Sequence, residues 1–495
     1  MGSAPTLSHP GDLTDATDGV NGWSSDGEEK GSSISAVTET YDLIAIGSGP
    51  AGRRAALEAT KLGKRAALVE RDDVLGGAST NRGTLPSKTV RAAIVELTGQ
   101  ALGIYGGVRR LKDGIKLDDL VWRAQQVIEN ERAAIQDELR RNRVDVIAGA
   151  AAFADPHVLV VQTRDGTRHV RAETIVIAVG TKPGRPAAVD FDDQIVLDSD
   201  GIFRQGEIPR RLVVVGGSVT GLEYASMAAA LGVQVTVAEK RLRLLEFVDD
   251  EIVESLVYYL RGLGVEFWLG EEVEAVRRLG EDGAVIHLVG GIRLPAECVL
   301  YSAGRRGATD DLDLPAAGLE ADERGRIQVG PDYRTSQSHI FAAGDVIGPP
   351  ALAPTAMAQG SAAALAAFDG PPRPPAPYPH AIYTIPEIAF VGLSERELAQ
   401  KATPYVVGTA RYRQLARGDL AGERCGLLKL LVHAETKHLL GAHIFGTSAT
   451  ELVHLGQAAI TAGLTIDYFA DAVLNVPTFS EAYKVAALDA RNQMS

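Results

Sequence analysis

A chain of 495 residues with 45% hydrophobic content is long enough for about three domains with real cores, at ~150 residues each. Fifty basic against 64 acidic side chains leave a net charge of −14, which argues against nucleic acid and anionic membrane partners, since both need a basic face. Only Cys298 and Cys425 occur, without C-x-x-C spacing, and no apolar run reaches the ~18 residues of a membrane span, so a cytoplasmic protein without structural disulfides or a metal site is expected.

Residues 1–40 are rich in Gly, Ser, Thr and Asp and hold seven acids against one base, Lys30. Such a segment buries little and reads as a disordered leader. It has neither arginine nor an apolar h-region, so it fits no mitochondrial presequence or secretory signal. Tyr41–Gly47 then reads as a strand, Gly47-Ser-Gly49-Pro-Ala-Gly52 as a tight loop, and Arg53–Leu62 as a helix. A second apolar run, Ala66–Val69, ends at Glu70, 23 residues after Gly47. Gly47 permits the turn, Gly49 lets backbone approach a pyrophosphate, and Gly52 lets helix and strand pack closely. The helix N-terminus supplies amide donors to phosphate, and Glu70 a carboxylate for an adenosine ribose.

Downstream of Glu70 runs Gly76-Gly77-Ala-Ser79-Thr-Asn-Arg-Gly-Thr84-Leu-Pro86-Ser-Lys88, with Lys88 on the helix that follows Pro86. Ile175–Gly180 is a strand ending in glycine. The nucleotide pattern recurs 169 residues after the first: Leu212–Val215 leads into Gly216-Gly-Ser218-Val-Thr-Gly221, a helical run to Leu231, and a strand Val233–Val237 followed by Glu239. Two such units imply two dinucleotides. Ser218 fills the second glycine slot, where a side chain crowds a pyrophosphate, so weakened or shifted affinity is expected. Val299–Gly304 ends a further strand and matches Gly180 as a crossing between the two units. In His339-Ile-Phe-Ala-Ala-Gly344-Asp345, Gly344 allows close backbone approach and Asp345 offers an acceptor to a ribityl hydroxyl; a small-residue helix follows near Met357–Ala367. Gly370-Pro-Pro-Arg-Pro-Pro-Ala-Pro reads as a stiff linker, followed by strands such as Leu427–Val432 and an apolar helix over Glu451–Ala462.

These motifs resemble the class I flavoprotein disulfide reductases and, within them, the soluble pyridine nucleotide transhydrogenases; the resemblance covers roughly residues 41–495. The points that carry it are Gly-Thr-Leu-Pro-Ser-Lys at 83–88, Gly344-Asp-Val-Ile-Gly, Tyr383-Thr-Ile-Pro-Glu-Ile-Ala and Val476-Pro-Thr-Phe-Ser-Glu481-Ala-Tyr. It implies an α/β fold: two Rossmann-like, glutathione-reductase-type dinucleotide-binding domains plus a C-terminal α+β dimerisation domain. FAD would be bound by 41–190 and 306–369, NAD(P) by 191–305, and the dimer formed by 370–495. Where disulfide reductases carry Gly-Gly-x-Cys-x-x-x-x-Cys, this chain has Ser79 and Thr84, and two hydroxyls cannot shuttle electrons as a disulfide does. Val476 stands where dihydrolipoamide dehydrogenases have the histidine that serves the dithiol, which leaves Glu481 as a packing or interface carboxylate.

The resemblance pairs Lys88 with Glu223 against the flavin; a surface salt bridge is the plain alternative. Glu239 favours NAD through the free 2′-hydroxyl, whereas Arg241 and Arg243 suit the 2′-phosphate of NADP or are exposed arginines on a solvated turn. His433, His438 and His443 give no convergent metal spacing. The expected activity is ping-pong hydride transfer between NADPH and NAD⁺ through bound FAD. An NAD(P)H:quinone or dye reductase and a silent FAD-binding scaffold are the alternatives.

Overall fold

The computed structural model describes residues 39–98, 117–202, 208–280, 283–371 and 377–494, and of residues 117–119 the backbone only. The expected leader thus lies outside the described residues, apart from Glu39 and Thr40, which already belong to the first strand. Much of the proline linker, 372–376, also lies outside them.

The chain opens with β1 (Glu39–Ile46), α1 (Pro50–Lys61), β2 (Ala66–Glu70), α2 (Gly77–Asn81), α3 (Thr84–Thr98), α4 (Leu117–Arg141), β3 (Asp145–Ala148), β4 (Ala150–Asp155), β5 (Val158–Thr163) and β6 (Gly166–Ile177). Strand β1 lies parallel between β2 and β6, with Ile44 opposite both Ala67 and Ile175. Leu43, Ile44 and Ala45 are all fully buried, which is why the sequence here is a continuous apolar run and not an alternating one: Leu43 and Ala45 pack with α1 and α7, and Ile44 packs on the other face with Phe153, Leu159 and Leu312. The sheet runs β3-β2-β1-β6-β5-β4, its last two strands antiparallel.

A short β7 (Thr181–Pro183) leads to the second unit: β8 (Val196–Asp198), β9 (Arg211–Val215), α5 (Val219–Ala230), β10 (Gln234–Glu239), α6 (Asp250–Gly262) and β11 (Glu266–Leu269). An antiparallel trio follows, β12 (Val273–Arg278), β13 (Ala284–Leu288) and β14 (Arg293–Ala296), and then β15 (Cys298–Tyr301). The order β11-β10-β9-β15-β8, parallel throughout, repeats the logic of the first sheet. Next comes β16 (Arg305–Gly307), which pairs antiparallel with β7, so the outgoing and returning chain crossings run side by side. The chain then rejoins the first sheet through β17 (Ile340–Ala342), parallel to the end of β6, and packs α7 (Ala353–Ala367) on α1. Small residues make that contact: a Cβ on Gly360 would stand 2.0 Å from the Ala51 carbonyl oxygen.

The third region holds β18 (His380–Ile382), β19 (Ile388–Gly392), α8 (Glu395–Gln400), β20 (Tyr405–Arg411), α9 (Ala416–Ala421), β21 (Leu427–His433), β22 (Leu439–Phe445), α10 (Ala449–Thr461), α11 (Ile466–Asp471) and α12 (Glu481–Gln493). Its antiparallel sheet runs β18-β19-β22-β21-β20, with Tyr412 and Tyr483 fully buried against it. Lys429 of β21 ties this sheet to the second unit. Its ammonium reaches Asp249 at 2.9 Å, at the N-terminus of α6, and also contacts Glu395.

Candidate functional site

At the first nucleotide loop the backbone decides which residues fit. Gly47 has φ +105°, and a Cβ there would sit 2.5 Å from the Ala178 carbonyl oxygen. A Cβ on Gly52 would stand 1.9 Å from the oxygen of Gly47. Gly49 differs: φ is −63°, ψ is 179°, and a Cβ would meet nothing within 4 Å. The space above Gly49 is therefore an open cradle at the N-terminus of α1, where no side chain caps the helix. Glu70 Oε2 accepts from the Ser48 amide at 2.8 Å and the Ser48 hydroxyl at 2.5 Å, and Oε1 from the Asp72 amide at 2.9 Å. One acceptor position on Oε1 is left for a ribose hydroxyl.

Ser48 also accepts from the Gly76 amide at 2.8 Å, which seats the Gly76–Gly77 turn on the loop. A Cβ on Gly77 would fall 2.8 Å from the Gly49 Cα. Ser79 follows on α2, and Thr84 begins α3, exposed. The Gly344 amide donates to Gln359 of α7 at 2.9 Å. Burial pushes the neighbouring Asp345 carboxyl above its ordinary value, opposed by Arg305 and Thr181. Arg305 grips the crossing: Nε donates to the Thr181 hydroxyl and Nη2 to its carbonyl, both at 2.9 Å. Gly180 and Gly304 flank that crossing, each with positive φ. An open cradle, a carboxylate with spare acceptor capacity and a half-buried Asp345 fit an FAD molecule.

In the second loop Gly216 repeats Gly47, with φ +102° and a would-be Cβ 2.9 Å from Ala303. Ser218 adopts φ −74°, ψ 172°, extended backbone open to any residue. Its hydroxyl accepts from the Gly221 amide at 3.2 Å and donates to the Ser302 carbonyl at 3.1 Å. The serine expected to crowd a pyrophosphate is thus the N-cap of α5, and it occupies one amide that a phosphate would otherwise use. Glu239 Oε2 accepts from the Gly217 amide at 2.7 Å. Arg241 covers the rest of that carboxylate with Nε at 3.0 Å, Nη2 at 3.0 Å and its own amide at 2.9 Å. Burial raises the Glu239 pKa, but the Arg241 side chain and the amides of Arg241 and Gly217 outweigh it and hold the carboxyl below its ordinary value. Arg243 points elsewhere, 3.6 Å from Asp250.

Between the two loops, Lys88 of α3 donates to Glu223 Oε2 of α5 at 2.6 Å. Glu223 is buried, and its other oxygen accepts from the Tyr383 amide at 2.8 Å. The Lys88 ammonium lies 5.0 Å from the centre of the Tyr383 ring. One turn along α3, Arg91 Nε donates to the Thr384 carbonyl at 3.0 Å. The junction therefore draws on all three regions of the chain.

Sequence reasoning passed over Ser48, Gln359, Arg305 and the Tyr383 amide. Ser48 occupies the x of Gly-x-Gly and had a legible signal, a hydroxyl beside a known acid. Tyr383 acts through its backbone, which no side-chain pattern encodes.

Two dinucleotide units, the first carrying a Gly-Gly turn on its loop and a helix whose Lys88 reaches Glu223 of the second, define a two-nucleotide oxidoreductase of the flavin type. The chain belongs to the pyridine nucleotide-disulphide oxidoreductase family: residues 41–360 match the family and 378–487 its dimerisation domain. It is 52% identical over 458 residues to the soluble pyridine nucleotide transhydrogenase of Mycobacterium tuberculosis, covering 92% of this chain and 98% of that one. It is 42% identical to the protein of that name from Azotobacter vinelandii, covering 92% and 99%. Among solved structures, LpdA from Mycobacterium tuberculosis superposes with a TM-score of 0.84 at 25% identity, covering 93% of this chain and all of that one. The HOCl-induced flavoprotein disulfide reductase RclA from Escherichia coli follows at 0.81 and 25%, covering 90% and 99%. Among the described residues no helix is long and apolar enough to cross a membrane.

Proposed function

We propose that this protein transfers hydride between the two nicotinamide nucleotides, NADPH + NAD⁺ ⇌ NADP⁺ + NADH, with FAD bound at the first unit and the nicotinamides taking turns at the second. The observation that carries this reading is the pair of hydroxyl residues, Ser79 and Thr84, in an otherwise intact flavin and nicotinamide scaffold. FAD, when bound, supplies the group that accepts and returns the hydride. The overall exchange consumes no net proton, so it needs no protein acid or base, and neither the thiols nor the histidine replaced by Val476 is missed. What the chain contributes is position and charge. Glu223, fixed by the Tyr383 amide, holds Lys88 so that its positive charge has one place in the junction. Ser48 and Glu70 hold the first loop in register with the Gly76–Gly77 turn.

The relatives' name and the extent of the match support the same activity. A homodimer in the cytoplasm completes the reading: the dimerisation match spans 378–487, Val473 and Val476 stand exposed there, and neither Cys298 nor Cys425 is in a disulfide. The test is anaerobic. Addition of NADPH to the FAD-loaded protein should bleach the flavin band, and NAD⁺ should restore it. Bleaching without recovery would turn the assignment to a quinone or dye reductase. No bleaching with NADPH or NADH would leave only an FAD-binding scaffold.

A further inference from the structure

The two nucleotide units offer an internal comparison, because Gly47, Ser48, Glu70 and Asp72 correspond position by position to Gly216, Gly217, Glu239 and Arg241. In both, the acid at the strand end accepts from the loop amide that follows the first glycine, at 2.8 and 2.7 Å. In both it also accepts from the amide two residues on, at 2.9 Å. Two side chains differ: the Ser48 hydroxyl takes the second position on Glu70 Oε2 where Gly217 offers none, and the residue two beyond the acid is Asp72 in one unit and Arg241 in the other. Asp72 leaves Glu70 Oε1 with spare capacity, whereas Arg241 lays Nε and Nη2 on the two oxygens of Glu239, each at 3.0 Å. Each oxygen of Glu239 then accepts twice, which uses a carboxylate's four acceptor positions. No position remains for a ribose 2′-hydroxyl.

The guanidinium, by contrast, is only half used. Glu239 takes its Nε–Nη2 edge, and Nη1 makes no hydrogen bond among the described residues. The Nη1–Nη2 edge is the fork that fits a phosphate bidentately. Arg241 is about half exposed and Glu239 nearly buried, so the pair presents arginine outward over a carboxylate base.

Building on the assignment of the second unit to the nicotinamide nucleotides, we infer that Glu239 is a positioning residue that aims Arg241 at the 2′-phosphate of NADP(H), and not a selector for NAD(H). An acid in this slot ordinarily rejects the 2′-phosphate by charge. Here the acid is neutralised by its own neighbour, so a phosphorylated ribose meets the arginine fork and an unphosphorylated one meets a neutral pair. One site accepts both nucleotides without either being repelled.

The test uses the FAD-loaded protein and two probes that bear no nicotinamide, adenosine 2′,5′-bisphosphate and adenosine 5′-diphosphate, titrated by calorimetry. Arg241→Gln should lower the affinity ratio of the first probe to the second by about tenfold to a hundredfold, the range of a lost charge-assisted hydrogen-bond pair. Glu239→Gln should lower the same ratio, by roughly threefold to tenfold, because the fork loses its anchor but keeps its charge. Arg241→Lys should fall between wild type and Arg241→Gln. Flavin content and thermal midpoint serve as the check on folding for each variant. A ratio that rises in Glu239→Gln would overturn the inference, since that is the result for an acid that repels phosphate. So would a ratio unmoved by Arg241→Gln, or a wild-type protein that binds neither probe. Intact ratio shifts in a protein that fails to transfer hydride would remove the activity assignment and leave this one standing.

Discussion

Substitution Lys88→Met separates a working charge pair from a decorative one. Lys88 and Glu223 sit 2.6 Å apart, with side-chain exposures of 24% and 7%. At that distance the bare attraction is about 6 kcal/mol for an effective dielectric of ~20. Desolvation of both groups offsets much of it, so the quantity to measure is the cost of leaving Glu223 buried without its cation. Removing one partner of a buried pair costs roughly 3–5 kcal/mol, and a lysine that keeps about a quarter of its surface in water puts this case near 3. Methionine matches the lysine stem in length, so lost packing contributes little. The reverse change, Glu223→Gln, should cost less, about 1–2 kcal/mol, because the lysine relaxes into solvent and glutamine still accepts from the Tyr383 amide. In the double variant the two losses should fall short of additive by about 2 kcal/mol.

Urea unfolding of the FAD-loaded protein reads these values, and anaerobic mixing with NADPH reads function. Lys88→Met should slow flavin bleaching on the order of 10²-fold, the scale on which removal of one preorganised electrostatic contact acts. A stability loss under about 1 kcal/mol together with a coupling near zero would show an ordinary surface pair and refute the reasoning. Normal bleaching in a destabilised Lys88→Met protein would keep the structural role and refute the electrostatic one.

Three further outcomes follow from the same geometry. Gly49→Ala should leave the thermal midpoint of the flavin-free protein nearly unchanged, since its Cβ meets nothing within 4 Å, yet weaken FAD retention; Gly47→Ala, at φ +105° and 2.5 Å from a carbonyl oxygen, should destabilise the flavin-free protein itself. Equal midpoint losses in the two would show that the space above Gly49 is not a ligand cradle. Ser218→Ala should cost about 1 kcal/mol in urea, the usual worth of an N-cap, and unchanged stability would mean the hydroxyl does not cap α5. Lys429→Met should cost roughly 3–5 kcal/mol by stranding the buried Asp249 carboxylate. Burial lowers the Lys429 pKa, but Glu395 and Asp249 outweigh it and hold the ammonium well above its ordinary 10.5. With the folded value raised, that stabilisation is fully present below pH ~10.4, the unfolded value, and is lost as pH rises beyond it. Wild type should therefore track Lys429→Met up to pH ~10.4 and lose stability faster than the variant only above it, and parallel profiles above that pH would contradict the assignment.

What was legible in the sequence is what the backbone dictates locally. Gly47, Gly52, Gly216 and Gly221 stand where a Cβ would strike a carbonyl oxygen or a Cα within 3 Å, so they mark both loops without help from the rest of the chain. Parallel strands covered on both faces, such as Leu43–Ile46, announce themselves as unbroken apolar runs. The partnering of polar side chains was not legible, for two physical reasons. The first is distance along the chain: Lys88 meets Glu223 across 135 positions and Glu223 meets an amide 160 further on, so neither contact leaves a periodic trace. The second is that a motif slot states a residue type and not its occupancy. Ser218 read as an obstruction because its slot faces phosphate, yet its hydroxyl is turned onto Gly221 and Ser302. Glu239 read as a ribose acceptor because its slot is shared with Glu70, yet the residue two positions later decides whether any acceptor position is open. Asp72 and Arg241 sit on equivalent turns, follow equivalent acids and donate equivalent amides, and it is their side chains that leave one acid with an open acceptor position and the other with none. In a fold built by repeating one nucleotide unit, the shared backbone specifies that a dinucleotide binds, and the choice among dinucleotides falls to such side chains just beyond the motif.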